Sequence, residues 1–161
     1  NMDVVSNGVS GRMADKLDLY HRQILQPEGD PMTGNGFGII GELQHPVESM
    51  AFLQQIKEIF RCDRLRYTTP HILSIQRVAV CGGAGASFFK QALAGQADIY
   101  ISGDFKYHDF FLTENRIMIA DIGHYESEQF TKEIFYEILT KKISKFAVQF
   151  SEINTNPIKY L

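Results

Sequence analysis

The second half of this chain alternates short apolar runs with amphipathic stretches, and that alternation constrains its fold more than any other feature. Residues 75–81, 97–102, 117–122 and 147–153 read as strands rich in Val, Ile, Ala and aromatic side chains. Between them, residues 87–93, 107–112 and 126–143 read as helices or helical turns, the last with Phe130, Ile134, Phe135, Ile138 and Leu139 turned inward. Strands that are apolar along their whole length need cover on both sides, and helices between them supply it. The expected class is α/β, a largely parallel or mixed sheet with helices on both faces.

The first half fits the same class. Residues 8–19 carry Val9, Met13, Leu17 and Leu19 at mostly helical spacing, with Ser10 as the expected N-cap. Residues 37–43 predict a strand. Pro46 precedes a helix through Ile59 whose apolar side is Val47, Met50, Phe52, Leu53, Ile56 and Ile59. Residues 65–68 predict a brief strand. Residues 26–36 hold Pro27, Gly29, Pro31, Gly34 and Gly36 and form a loop by composition. This loop or linker is the one candidate boundary, dividing a remnant over residues 1–25 from a lobe over 37–161. The chain opens Asn1-Met2-Asp3-Val4-Val5 without a capping turn, so sequence upstream is expected.

Composition excludes several classes. At 161 residues, 44% hydrophobic and 22% charged, the chain is one ordinary domain or a large piece of a bigger one, able to bury a core. A net charge of −3 argues against a nucleic-acid surface, which needs a basic excess. No apolar run approaches the ~20 residues of a membrane helix. No signal peptide is visible. Cys62 and Cys81 are far apart in or beside apolar segments, and read as reduced thiols of a cytoplasmic protein.

Polar residues gather where strands end. His124 and Glu128 follow the 117–122 strand and stand four apart, so a helix beginning near Tyr125 would place them over one another. An imidazole and a carboxylate so placed can bind a divalent metal, given further ligands. They equally suit a plain helix start, where Glu126 and Glu128 meet the helix dipole. Asp104 and His108 follow the 97–102 strand. A parallel neighbour would bring either within reach of His124, His108 as an acid or base, or leave Asp104 as a helix cap. Gly82, Gly83 and Gly85 follow the 75–81 strand and could offer backbone N–H groups to an anion, or could simply make a tight turn. The turn is neither a dinucleotide fingerprint nor a P-loop. Open α/β sheets carry ligand sites on this edge. His21, His45 and His71 lie in loop-like segments and take no role.

These motifs, in this order and spacing, resemble the Nif-three-like family, whose members are often labelled GTP cyclohydrolase 1 type 2 homologues. The resemblance rests on Gly82 to Gly85, on Gly103-Asp-Phe-Lys-Tyr-His-Asp109, and on Gly123-His-Tyr-Glu-Ser-Glu128. It extends to the opening residues 1–9 and the closing Thr155-Asn-Pro-Ile-Lys159. It implies two divalent metal ions (zinc, iron, manganese or magnesium) in a cleft between two lobes, with Asp3, His124 and Glu128 as ligands and His108 beside them. It also implies a homo-oligomer, commonly a hexameric ring. The family's adjacent pair of histidines is not found here, so an N-terminal lobe is expected to be missing. The expected function is a metal-dependent hydrolase acting on a nucleotide-like or phosphorylated small molecule, with Gly82, Gly83, Gly85 and Asp104 as substrate contacts. The alternative is a metal-binding assembly or regulatory module without turnover.

Overall fold

Residues within each central strand alternate between two cores, and this sets the layout of the computed structural model, which describes residues 8–30 and 34–161. Val78, Val80, Ile99, Ile101, Met118 and Ala120 face one core. Ala79, Tyr100, Ile117 and Ile119 face the other. The elements in chain order are α1 (Val9–Lys16), β1 (Tyr20–Pro27), β2 (Gly36–Glu48), α2 (Ser49–Ile59), β3 (Arg66–Tyr67) and β4 (Ser74–Val80). A 3-10 turn (Ala86–Phe88) leads into α3 (Phe89–Ala94), followed by β5 (Ile99–Ser102) and a second 3-10 turn (Tyr107–Thr113). β6 (Met118–Asp121), α4 (His124–Glu128) and α5 (Thr131–Lys142) complete the set.

The strands form one six-stranded sheet in the order β1-β2-β4-β5-β6-β3. Its centre, β4-β5-β6, is parallel. Antiparallel pairings flank it, β1 with β2 and β2 with β4 on one side, β3 with β6 on the other. The sheet is therefore mixed around a parallel centre, as expected. Met13 of α1 and Phe52, Ile56 and Phe60 from α2 and its end seal the first core, all 0–1% exposed. Phe89 and Ala92 of α3 seal the second, with Phe105 edge-on to Tyr100 at 5.8 Å. Among the described residues no helix is long and apolar enough to cross a membrane.

Several expectations need correction. β1 was not foreseen: as an edge strand it buries only Leu25, so its sequence carries no alternating apolar signal. Pro27 and Gly36, in the stretch expected to be a loop, pair with one another as the last register of β1 and β2, and Glu28 N–H donates to the Asn35 carbonyl at 3.0 Å just beyond them; residues 31–33 lie outside the described residues. Ser10 is not the N-cap of α1; Gly8 is, and Ser10 is buried inside the helix. The cap of α2 is Glu48, whose carboxylate accepts from Met50 and Ala51 N–H. Those bonds hold its pKa below the ordinary range.

The long helix expected over 126–143 is two helices. Gln129 Nε2 donates to the Phe60 and Glu126 carbonyls at 2.7 and 2.9 Å, and Thr131 Oγ1 donates to the Glu128 carbonyl at 2.6 Å. This break lets Phe130 meet Phe60 edge-on at 5.9 Å. Phe130 and Ile134 are buried, but Phe135, Ile138 and Leu139 are exposed, contrary to the inward stripe expected. Residues 147–153 do not form a strand. Phe150 instead stacks on Tyr136 of α5, rings 4.7 Å apart, so its apolar surface is spent on a helix.

Candidate functional site

β4, β5 and β6 run parallel, so their C-terminal ends open on one edge of the sheet, and glycines let the three following loops close together there. Gly103 N–H donates to the Gly83 carbonyl at 2.9 Å, joining the loops after β4 and β5. A Cβ at Gly103 would lie 2.8 Å from the backbone of Gly123 and His124. Only a residue without a side chain fits that approach. Gly123, at φ +90°, then turns the chain into α4, which begins at His124.

His124 is held from both ring nitrogens. Its Nδ1 lies 2.6 Å from Asp104 Oδ2, and its Nε2 lies 3.4 Å from Glu128 Oε2 one helical turn on. An ionised carboxylate only accepts, so Nδ1 carries the proton donated to Asp104. Asp104 is placed by a left-handed backbone, φ +59°, in the loop after β5. The Asp104 hydrogen bond raises the His124 pKa above its ordinary value; partial burial opposes the shift, and the Glu128 charge adds to it. His124, Asp104 and Glu128 are each about half exposed, so the group faces solvent.

Buried polar groups support this trio from below. Ser127, fully buried, donates to the His124 carbonyl and accepts from Gly83 N–H, both at 2.8 Å. Asp121, 4% exposed, accepts from Phe105 N–H at 3.1 Å and Gly123 N–H at 3.0 Å, and pairs with Arg66. Asp121 thus ties the loop that carries Asp104 to the loop that carries His124. Neither residue was singled out from sequence. The signal for Asp121 was a carboxylate closing an otherwise apolar strand.

The backbone N–H groups of the glycine turn are already bonded. Gly82 N–H donates to Ser10 Oγ at 3.0 Å, Gly83 N–H to Ser127 Oγ, and Gly85 N–H to Ser102 Oγ at 3.0 Å. The cradle that an anion would fill is therefore filled by the protein's own hydroxyls. Gly83 lies against the trio instead: a Cβ there would sit 2.5 Å from Glu128 Oε1. His108 is exposed on the 3-10 turn after β5, its ring edge-on to Tyr107 at 5.4 Å. Among the described residues no hydrogen bond joins it to His124. Asp3 lies outside the described residues.

The donor chemistry suits a divalent ion as far as it goes. A histidine that gives one N–H to a carboxylate presents its other nitrogen as a lone pair, the usual support for a metal-bound imidazole. His124 Nε2 and a Glu128 oxygen are such a pair. Among the described residues no group of three or more His, Cys, Asp or Glu side chains is arranged to hold a metal.

Comparison with known proteins adds a family. The family model for Duf34/NIF3 (NGG1p interacting factor 3) matches residues 1–157. A GTP cyclohydrolase 1 type 2 homolog of Streptococcus pneumoniae is 34% identical over 169 residues, covering all of this chain and 62% of that protein. A hypothetical protein from Staphylococcus aureus superposes with a TM-score of 0.85 at 21% identity, over 99% of this chain and 66% of the other. A Bacillus cereus protein related to NIF3 gives a TM-score of 0.83 at 17% identity, over 99% and 71%. These likenesses show the fold. The chain spans less than two thirds of the length of the pneumococcal relative.

Proposed function

Because the chain belongs to the Duf34/NIF3 family, we propose that its strand-end trio is part of a site for two divalent metal ions. We further propose that the site serves a metal-dependent hydrolase acting on a nucleotide-like or phosphorylated substrate. The observation that carries this is the line Asp104–His124–Glu128, in which a carboxylate fixes the imidazole tautomer and leaves Nε2 beside a second carboxylate. His124 and Glu128 would be ligands, and Asp3 a third by the resemblance. Bound divalent ions would supply an activated water at neutral pH and stabilise charge on a phosphoryl group or ring carbon.

The chain's own residues have defined parts. Asp104 orients His124, and Ser127 holds the start of α4 against the glycine turn. His108, exposed on the turn after β5, is the candidate proton carrier. The pneumococcal relative bears the name of a GTP cyclohydrolase homolog.

One observation favours a second reading, a metal-binding assembly module without turnover. Phe135, Ile138, Leu139, Ile143 and Phe146 are all exposed on and after α5, an apolar surface suited to a protein partner or another copy. The two readings separate on His108→Ala. The protein, loaded with zinc or manganese, is assayed on p-nitrophenyl phosphate and nucleoside triphosphates with and without EDTA. The hydrolase reading expects EDTA-sensitive turnover that His108→Ala abolishes while metal content stays. Metal-bound protein inactive on every substrate favours the module.

A further inference from the structure

The trio has a neighbour that the proposed chemistry does not use. Residues 155–158 cross beside α4 and, with His124, Tyr125, Glu128 and Thr131, bound a cleft of about 490 Å³. That volume falls within the range of small-molecule sites.

The segment has no regular secondary structure, yet it is fixed at three points. Upstream, Phe150 stacks on Tyr136. Downstream, the Arg64 guanidinium lies over the Tyr160 ring, 5.1 Å from its centre, and donates to the Leu161 carbonyl. Between them stands Asn156. Its Nδ2 donates to Oε1 of buried Glu126 at 3.2 Å, and its Oδ1 accepts from Ile158 N–H at 3.1 Å. Its own N–H donates to Asn154 Oδ1 at 2.9 Å. Two successive Asx turns thus set the path of residues 154–158 before any ligand arrives. A wall built this way loses little conformational freedom on binding.

The chemistry of the cleft says what it takes. Among the described residues, no lysine or arginine lines it, and the N–H groups of Gly82, Gly83 and Gly85 are bonded to serines. Glu128 adds a negative charge. Among the described lining residues His124 is the one side chain able to carry positive charge, and Asp104 and Glu128 already face it. Pro157, Ile158 and Tyr125 line it with apolar surface, and Thr155 brings a hydroxyl.

We propose that residues 155–158 are the recognition wall for the neutral, planar heteroaromatic part of the substrate. Pro157 and Ile158 lie against the ring face, the Thr155 hydroxyl bonds its edge, and Asn156 is the positioning residue. Charged groups of the substrate lie toward the proposed metal ligands His124 and Glu128, away from residues 155–158. That the ring belongs to a substrate rests on the hydrolase reading; that a ring binds does not.

The test uses ¹⁵N-resolved NMR of the metal-free protein with guanosine, adenosine and pyrophosphate as probes. Both nucleosides are expected to shift the amide signals of Tyr125, Thr155 and Ile158 saturably, and pyrophosphate to leave them in place. Ile158→Ala is expected to weaken nucleoside binding about tenfold, as for a lost apolar contact. Thr155→Val, which keeps the shape and removes the hydroxyl, should weaken it severalfold. Asn156→Ala should weaken it without altering the signals of β4 to β6. Nucleosides that leave these amides unmoved, or pyrophosphate that moves them, overturn the proposal. A zinc titration in the same spectra reads the metal site separately, so failure there sinks the hydrolase reading and leaves the wall standing.

Discussion

Asp104 accepts a hydrogen bond from His124 Nδ1 at 2.6 Å, across the gap between the ends of two adjacent parallel strands. The two residues are twenty positions apart in sequence and come from different loops. Their meeting depends on Gly103 and Gly123 lying close enough for backbone contact, and on Asp121 tying both loops to one carboxylate.

Replacing Asp104 with Asn should lower the His124 pKa, because the Asp104 hydrogen bond is the largest cause of its elevation. Loss of such a supporting carboxylate typically weakens metal binding roughly 10–100-fold. NMR titration of the His124 ring and a zinc binding isotherm read the two effects. An unchanged ring pKa would show that the contact does not operate in solution.

The pH dependence should differ in sign between the metal-free and metal-bound forms. His124 has a folded pKa raised above its ordinary 6.5. Its contribution to the metal-free fold is therefore fully present below 6.5 and is lost as pH rises through the folded value. Metal requires the neutral ring, so zinc affinity should fall as pH drops through that same folded value, with proton release on binding. Calorimetry in two buffers of different ionisation enthalpy measures the released proton. Affinity that does not change between pH 8 and pH 6 would exclude His124 as a ligand.

Gly83→Ala should damage the site in two ways. Gly83 sits at φ +65°, where a side chain costs about 1–2 kcal/mol. The new Cβ would also lie 2.5 Å from Glu128 Oε1 and 3.3 Å from His124 Cε1. Glu128 can swing aside, so the variant should fold with a lower melting temperature and bind metal poorly. Melting and zinc titration together check this. Unimpaired zinc binding would mean that Glu128 does not lie over the glycine turn.

Cys62 should be silent in the native protein. Burial pushes its thiol up to about 12, and its Sγ lies 3.6 Å from the Ile122 carbonyl. Its stabilising contribution is fully present below the ordinary 9.0 and is lost as pH rises through the folded value. Labelling by a thiol reagent at pH 8 should follow unfolding, rising steeply with denaturant. Rapid labelling of native protein at Cys62 would contradict the packing.

The central sheet was legible because β4, β5 and β6 are buried on both faces, which leaves apolar runs in the sequence. β1 was not, because an exposed edge strand leaves no such mark. The break between α4 and α5 has no Gly or Pro; it is made by side-chain bonds of Gln129 and Thr131 to carbonyls, which no spacing rule reveals. At the site, the four-residue step from His124 to Glu128 and the parallel placement of Asp104 could be read. The serines could not. Ser10 meets Gly82 over a separation of 72 residues and Ser127 meets Gly83 over 44, so their occupation of the glycine turn exists only in the fold.

The most direct test of the account is metal analysis of the purified protein after equilibration with zinc or manganese and removal of free ion. His124→Ala and Glu128→Gln are carried alongside, with circular dichroism to confirm folding. The account predicts bound divalent metal in stoichiometric amount, up to two ions per chain, lost in both folded variants. Wild-type protein that retains no metal, or variants that retain as much as wild type, would contradict it.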